Sequence, residues 1–164
     1  MPQELESRMK LAMASESASA ARNRLHAAKA KKEGRPQLAK LMTAMATGEQ
    51  ISGRRALIYL RGKIGHAAAH LEELGRQKEA AATQVYPADR QAAGYAGDRS
   101  AEAAFLQFEQ VSRNHADLLG SPGVDTNDHE FFVCQVCGFI ALDVIPENCP
   151  VCGAVRERFK AAVA

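Results

Sequence analysis

Phe131-Phe132-Val133-Cys134-Gln135-Val136-Cys137-Gly138-Phe139, followed shortly by Glu147-Asn148-Cys149-Pro150-Val151-Cys152-Gly153, decides how the end of this chain folds. All four cysteines of the protein lie here, as two Cys-x-x-Cys pairs with eleven residues between them, each pair followed at once by a glycine. Two intervening residues let one tight turn aim both sulfurs at a single point. The glycine can take the positive φ that turns backbone N–H groups toward those sulfurs. The pattern predicts one tetrahedral metal site with Cys134, Cys137, Cys149 and Cys152 as its four thiolate ligands. The alternatives are a pair of disulfides or four buried structural thiols. Disulfides fit badly, because Met1-Pro2-Gln3-Glu4 opens no export signal and a reducing cytoplasm, the expected location, disfavours them.

Working outward, 164 residues give room for one ordinary core and a small satellite module. Apolar residues reach 46%, much of it alanine, while aromatics are only 5% and Trp is absent, a composition suited to close-packed helices. No run of eighteen apolar residues exists, so no membrane span is expected. Residues 1–124 carry 18 Lys and Arg against 13 Asp and Glu, whereas residues 125–164 carry 3 against 6, so the two parts differ in sign. The basic run Lys29-Ala30-Lys31-Lys32 is interrupted and sits at a predicted helix end, where cations complement the macrodipole. It reads as a solvated helix face, and no nucleic-acid partner is expected.

Apolar and small residues recur at helical spacing from Gln3 to about Glu33 (Leu5, Met9, Met13, Ala20, Ala27, Ala30), and Gly34 ends that helix. Pro36 suits the first turn of a second helix through Leu38, Met42, Met45, Ala56 and Tyr59 to near Gly62. A third begins around His66 with Leu71, Leu74, Ala81 and Val85, and Pro87 should kink or end it. A fourth starts with Asp98 as N-cap and runs through Phe105 and Phe108 to Leu119. Gly120 to Asp128 is a linker by composition. Beyond it, Phe131 to Val133 and Phe139 to Leu142 read as short strands around the metal knuckles, with Phe159 able to cover them. The expected domains are a four-helix bundle over 1–120, a linker over 121–129 and a four-cysteine metal domain over 130–164.

Polar residues interrupt the apolar stripes. Glu16 is in phase with Met9, Met13 and Ala20; Glu49 and Ser52 continue the stripe of Met42 and Met45; Lys78 sits between Leu74 and Ala81; Ser112 and His115 follow Phe105 and Phe108. Taken one at a time these are stripe-edge positions. Taken together they predict a polar layer across the bundle.

The sequence here resembles the rubrerythrins, which join a ferritin-like four-helix bundle to a C-terminal rubredoxin-like iron site. Cys134-x-x-Cys137-Gly138-Phe139 and Pro146-Glu147-x-Cys149-Pro150-x-Cys152-Gly153 resemble the two rubredoxin knuckles. Glu16-Ser17, Lys29, Glu33-Gly34 and Gln37-Leu38-Ala39 resemble the first helix pair, and Val85-Tyr86-Pro87 a segment of the third helix. The resemblance implies a mainly α fold with a small β metal-binding domain. It also implies a di-iron centre held by glutamates from helices one and three and a Glu-x-x-His from helices two and four. Carried across, the first-helix ligand is Glu16, and the second-helix motif is Glu49-Gln50-Ile51-Ser52, with its histidine replaced. The third-helix glutamates become Lys78 and Ala81, and the fourth-helix motif becomes Ser112-Arg113-Asn114-His115, without its glutamate. Glu16, Glu49 and His115 are a possible residual site; Ser52, Lys78, Ala81 and Ser112 are lost-ligand positions. Two irons need bridging carboxylates, so no di-iron centre is expected. An ammonium at Lys78 repels a dication and would instead neutralise Glu16 and Glu49.

A second helix running to about Arg61 is roughly 39 Å long. The eight or so residues that follow reach about 27 Å, too short to return along it. Either the chain forms an intertwined homodimer, or helix two stops at Gly53 and the rest is the crossover. The resemblance implies iron at the four cysteines, with zinc as substitute, since tetrahedral sulfur sites hold either. The favoured function is electron transfer or redox sensing with a redox partner protein, with Phe132, Phe139 and Val151 screening the metal. The alternatives are a rubrerythrin-type peroxidase with an atypical metal centre and a zinc-stabilised interaction module. His26, His66, His70 and His129 read as solvated surface residues, because no triad surrounds them. There is also no glycine-rich phosphate loop.

Overall fold

The computed structural model of the chain describes residues 2–61 and 66–163, without the side chains of residues 67–69. Contacts divide the chain into two units, Met1–Gly65 and His66–Ala164. The first is an antiparallel pair, α1 (Gln3–Lys32) and α2 (Pro36–Arg61). Gly34, at φ +70°, ends α1 in a Schellman turn: Arg35 N–H donates to Ala30 O at 2.9 Å and Gly34 N–H to Lys31 O at 3.2 Å. Lys29, Lys31 and Lys32 occupy the last turn, where they face the negative end of the dipole.

The helices meet along small residues. Ala20, Ala27 and Ala30 of α1 and Ala46 and Gly53 of α2 are the buried positions. A Cβ at Gly53 would stand 3.1 Å from Ser17 Oγ, tighter than ordinary van der Waals contact, so a side chain there would make Ser17 shift. Helix α2 passes Gly53 without interruption and ends at Arg61, which removes the alternative of an early stop. Glycine here serves interhelical packing, and the intact hydrogen-bonded helix on both sides offsets its intrinsic cost of about 1 kcal/mol. The expected end near Gly62 falls next to residues 62–65, which lie outside the described residues.

The second unit opens with α3 (Ala67–Ala80), which passes through a π-helical turn (Ala81–Val85) into α4 (Tyr86–Tyr95). Of the two outcomes expected at Pro87, a kink or an end, the second does not occur: the helix is disrupted by the π turn and goes on. Tyr86 N–H reaches back five residues to Ala81 O. That widened turn absorbs the hydrogen bond Pro87 cannot make, so the helix continues in a shifted register. Gly97, at φ +70°, closes a second Schellman turn, with Asp98 N–H on Ala93 O and Gly97 N–H on Gly94 O, both at 3.0 Å. Asp98 then caps α5 (Arg99–Leu119), its Oδ1 accepting from Ser100 N–H at 3.1 Å and Ala101 N–H at 3.0 Å. Helix α5 packs on α3, the π turn and α4. Ala82 and Ser112 are buried, and Phe108 stacks near Tyr86 at 5.6 Å and Phe105 at 6.1 Å.

The C-terminal module is a three-stranded antiparallel sheet of order β2-β1-β3, with β1 Phe131–Cys134, β2 Ile140–Leu142 and β3 Phe159–Ala161. Register pairs Phe132 with Ala141 and Cys134 with Phe159. Phe159 is buried as expected, but as part of β3, a strand too short to read from periodicity. Among the described residues no helix is long and apolar enough to cross a membrane.

Candidate metal centre

Each Cys-x-x-Cys-Gly segment forms the same turn. Gly138 N–H donates to Cys134 O at 2.9 Å, and Gly153 N–H to Cys149 O at 2.8 Å. Cys134 N–H meets Phe139 O, and Cys149 N–H meets Ala154 O, both at 2.8 Å. Both glycines have positive φ, 88° and 70°, the conformation that favours glycine at these turns. Two equivalent knuckles thus present four sulfurs to one point.

The sulfurs lie within 4.8 Å of one another, with Cys134 and Cys152 3.7 Å apart and Cys137 and Cys149 3.5 Å apart. Metal–sulfur bonds of about 2.3 Å in a tetrahedron place sulfurs about 3.8 Å apart, so the spacing matches a four-coordinate ion. A disulfide needs about 2.05 Å, and all four cysteines are free. Cys134 and Cys149 are 1% and 2% exposed, and Phe132, Phe139, Ile145 and Val151 pack around them. Phe139 and Phe159 meet edge to face at 6.4 Å. These apolar residues keep water from the inner sulfurs.

Burial acts against charge on all three thiols with perturbed acidity. At Cys134 it is outweighed by the backbone N–H groups of Cys137 and Val136 and by the neighbouring thiols, which bring it down to about 7. At Cys137 and Cys152 burial prevails, and both are pushed up. A cation is what allows four sulfurs this close to be thiolates together.

The module is tied to α5. The Asn114 side chain pairs with the Ile140 backbone in both directions, Nδ2 donating to Ile140 O at 3.1 Å and Ile140 N–H donating to Oδ1 at 2.9 Å. His115 Nε2 donates to Gly138 O at 3.0 Å, directly beside Cys137. Because that carbonyl can only accept, Nε2 carries the proton. One turn earlier, Val111 Cγ1 lies 3.9 Å from where a Gly138 Cβ would stand.

Residues 132–160 match the family model described as the rubrerythrin, rubredoxin-like domain. A relative from Clostridium acetobutylicum, Rubrerythrin-2, is 32% identical over 84 residues, which are 48% of this chain and 46% of that protein. Rubrerythrin from Porphyromonas gingivalis is 24% identical across 94% of this chain and 88% of its own. Solved structures of nigerythrin in mixed-valent and fully reduced, all-ferrous states share the fold. They have TM-scores of 0.56 and 0.57, cover 96% of this chain and 86% of theirs, and are 23% and 22% identical. Residues 132–160 are a rubredoxin-like domain of the rubrerythrin type, and the match to Rubrerythrin-2 spans about half of either chain. The chain's fold class is that of a ferritin-like helical part with a rubredoxin-like module, and that module carries a four-cysteine metal-binding site.

The helical positions singled out by resemblance lie in both units. Half-buried Glu49 accepts from Ser19 Oγ at 2.7 Å and from Asn23 Nδ2 at 2.9 Å on both carboxylate oxygens. Glu16 is half-buried beside Gly53, and Ser52 is exposed. In the second unit Ser112 is buried, Ala81 opens the π turn, and Lys78 and His115 line one cavity. Among the described residues the four cysteines are the one group of three or more His, Cys, Asp or Glu ligand atoms placed to share an ion.

Sequence reading missed several contacts. Asn114 and the acceptor of His115 come from a strand and a knuckle more than twenty residues away, and no local pattern marks them. His129 is not a solvated surface residue: half-buried, its Nδ1 lies 2.9 Å from Asp143 Oδ2 and its ring meets Phe131 edge to face. Asp143, at φ +61°, also accepts from Glu130 N–H at 3.0 Å. That hydrogen bond first, and His129 second, hold its carboxyl below the usual range. Glu109 was unremarked, yet its side chain is 17% exposed and its Oε2 has no hydrogen-bond partner. The Arg90 guanidinium, 3.5 Å away, supplies the opposing charge without hydrogen-bond geometry.

Proposed function

We propose that the chain is a one-electron carrier or redox sensor whose rubredoxin-like module holds iron at Cys134, Cys137, Cys149 and Cys152, and whose helical part holds no di-iron centre. The observation that carries the reading is the sulfur cluster itself, spaced for a tetrahedral ion and half enclosed by apolar side chains. When bound, iron supplies a ferric/ferrous couple that changes charge without changing ligands. The chain's residues hold the sulfurs in place through the two knuckles, exclude water with Phe132, Phe139 and Val151, and leave Val136 exposed beside Cys137 as a contact for a partner protein.

Loss of the di-iron centre is supported by donor chemistry. Lys78 and Ala81 offer no carboxylate, and Ser52 and Ser112 no imidazole or carboxylate. Glu49 spends both oxygens on Ser19 and Asn23, and His115 spends Nε2 on Gly138 O. The remaining groups do not fit two dications.

An intertwined homodimer belongs to the same proposal. Helix α2 continues to Arg61, and α3 begins at Ala67, which keeps the connection between the helix pairs short. Leu41, Met45 and Tyr59 of α2 and Leu74 and Phe108 of the second unit are exposed apolar surface that an exchanged helix pair would cover.

Purification from iron-replete cells with metal analysis and sedimentation tests the whole reading. The expected result is a red dimer with one iron per chain that bleaches on reduction and recovers in air. About three irons per chain with peroxide turnover would restore the peroxidase reading. Zinc alone, with no redox response, would leave a metal-stabilised interaction module.

A further inference from the structure

Past the glycine of each Cys-x-x-Cys-Gly turn, the next backbone N–H donates to the second sulfur of its knuckle: Phe139 N–H to Cys137 Sγ, and Ala154 N–H to Cys152 Sγ. The two knuckles differ in what lies behind those amides. Phe139 N–H belongs to the same peptide group as Gly138 O, which accepts from His115 Nε2 at 3.0 Å. Ala154 N–H shares its peptide with Gly153 O, which has no donor among the described residues, and Gly153 is exposed. Helix α5 makes the first arrangement possible. Asn114 is fixed on the Ile140 backbone by two hydrogen bonds, and Val111 lies within reach of Gly138 one turn before His115. Spaced at i, i+3 and i+4, the three residues present one helix face to the first knuckle.

A peptide group whose oxygen accepts a hydrogen bond is polarised and donates more strongly through its N–H. A sulfur gains most from such a donor when it carries most negative charge. For four thiolates around an iron that is the reduced state, one electron more negative than the oxidised one. We propose that His115 is a positioning residue that raises the reduction potential of the four-cysteine site, acting on Cys137 through the Gly138–Phe139 peptide. The relay runs from His115 Nε2–H to Gly138 O, and from Phe139 N–H to Cys137 Sγ. Helix α5 thereby biases the metal module through one side chain, on one knuckle and not on the other. The effect on potential rests on the iron-carrying reading above; the polarisation of the peptide does not.

Two measurements on the full chain test this. In the zinc-loaded protein, whose metal has no redox change, amide spectra of His115→Leu should show the Phe139 N–H proton moved upfield, toward a weaker hydrogen bond, with the Ala154 N–H proton in place. In the iron-loaded protein, potentiometric titration should find His115→Leu harder to reduce. Its reduction equilibrium should be about threefold less favourable, roughly 30 mV for one electron. His115→Gln, which keeps an N–H donor at similar reach, should return both values toward those of the parent chain. Asn114→Ala, which releases the module from α5, should lower the potential as His115→Leu does. Metal content equal to that of the parent in each variant shows that the site is intact, and its loss from His115→Leu would make the contact structural and overturn the proposal. An unmoved Phe139 proton, or equal movement of both amides, would overturn the relay. A potential indifferent to His115→Leu, or lowered alike by His115→Gln, would overturn the tuning role. A chain that cannot be loaded with iron overturns the electron-carrier reading and with it the effect on potential, while the zinc-form spectra still decide the relay.

Discussion

Glu49 shows how one carboxylate can be satisfied without a metal. Three hydrogen bonds from Ser19 and Asn23 hold it at the α1–α2 interface, so Glu49→Ala strands two half-buried donors there. The variant should lose about 1–3 kcal/mol, read as a lower denaturation midpoint at unchanged slope, with metal content unaltered. A carboxylate serving a metal would give the opposite pattern. Cys149, 2% exposed, is the complementary case: Cys149→Ser should reduce bound metal from one per chain to near zero and unfold the C-terminal module, seen as loss of its dispersed amide signals.

Helix α5 joins the two kinds of structure in the second unit. Asp98 fixes its start, Ser112 faces its packing partners, and Asn114 and His115 hold the sheet and the first knuckle. Asn114→Ala leaves Ile140 N–H and O without their side-chain partners, at a cost of about 1–3 kcal/mol. The module should then hold its metal but detach from α5, detected as faster proteolysis within residues 120–129 at constant metal stoichiometry. Unchanged cleavage would show that the amide pairing contributes little to docking. The helices and the Asp98 cap were legible because 3.6-residue periodicity and capping chemistry are local. The π turn was not, because the register shift at Ala81–Val85 answers to Pro87 and to packing on α5 together.

The molecule as a whole couples metal uptake to protons. Cys137 and Cys152 are pushed up by burial, so they are protonated at neutral pH without metal and must release protons on binding, whereas Cys134 sits at about 7. Metal affinity is therefore greatest at high pH. The two raised thiols alone make it fall by at least a hundredfold per pH unit just above 7, and more steeply below 7, where Cys134 also takes a proton. Competition with a chelator across pH 6 to 9 measures that slope. A flat profile would show that the thiols are already ionised before the metal arrives.

The amino-acid order settled the helices, the two knuckles and the absence of carboxylates at Lys78 and Ala81, since spacing, capping and side-chain chemistry are written locally. Folding settled who shares whom. Glu49 was claimed by Ser19 and Asn23, His115 by Gly138 O, and His129 by Asp143. The reason is physical: a polar side chain is stabilised by whichever partner lies within about 3 Å, and that partner is chosen by the packing of segments far apart in the chain.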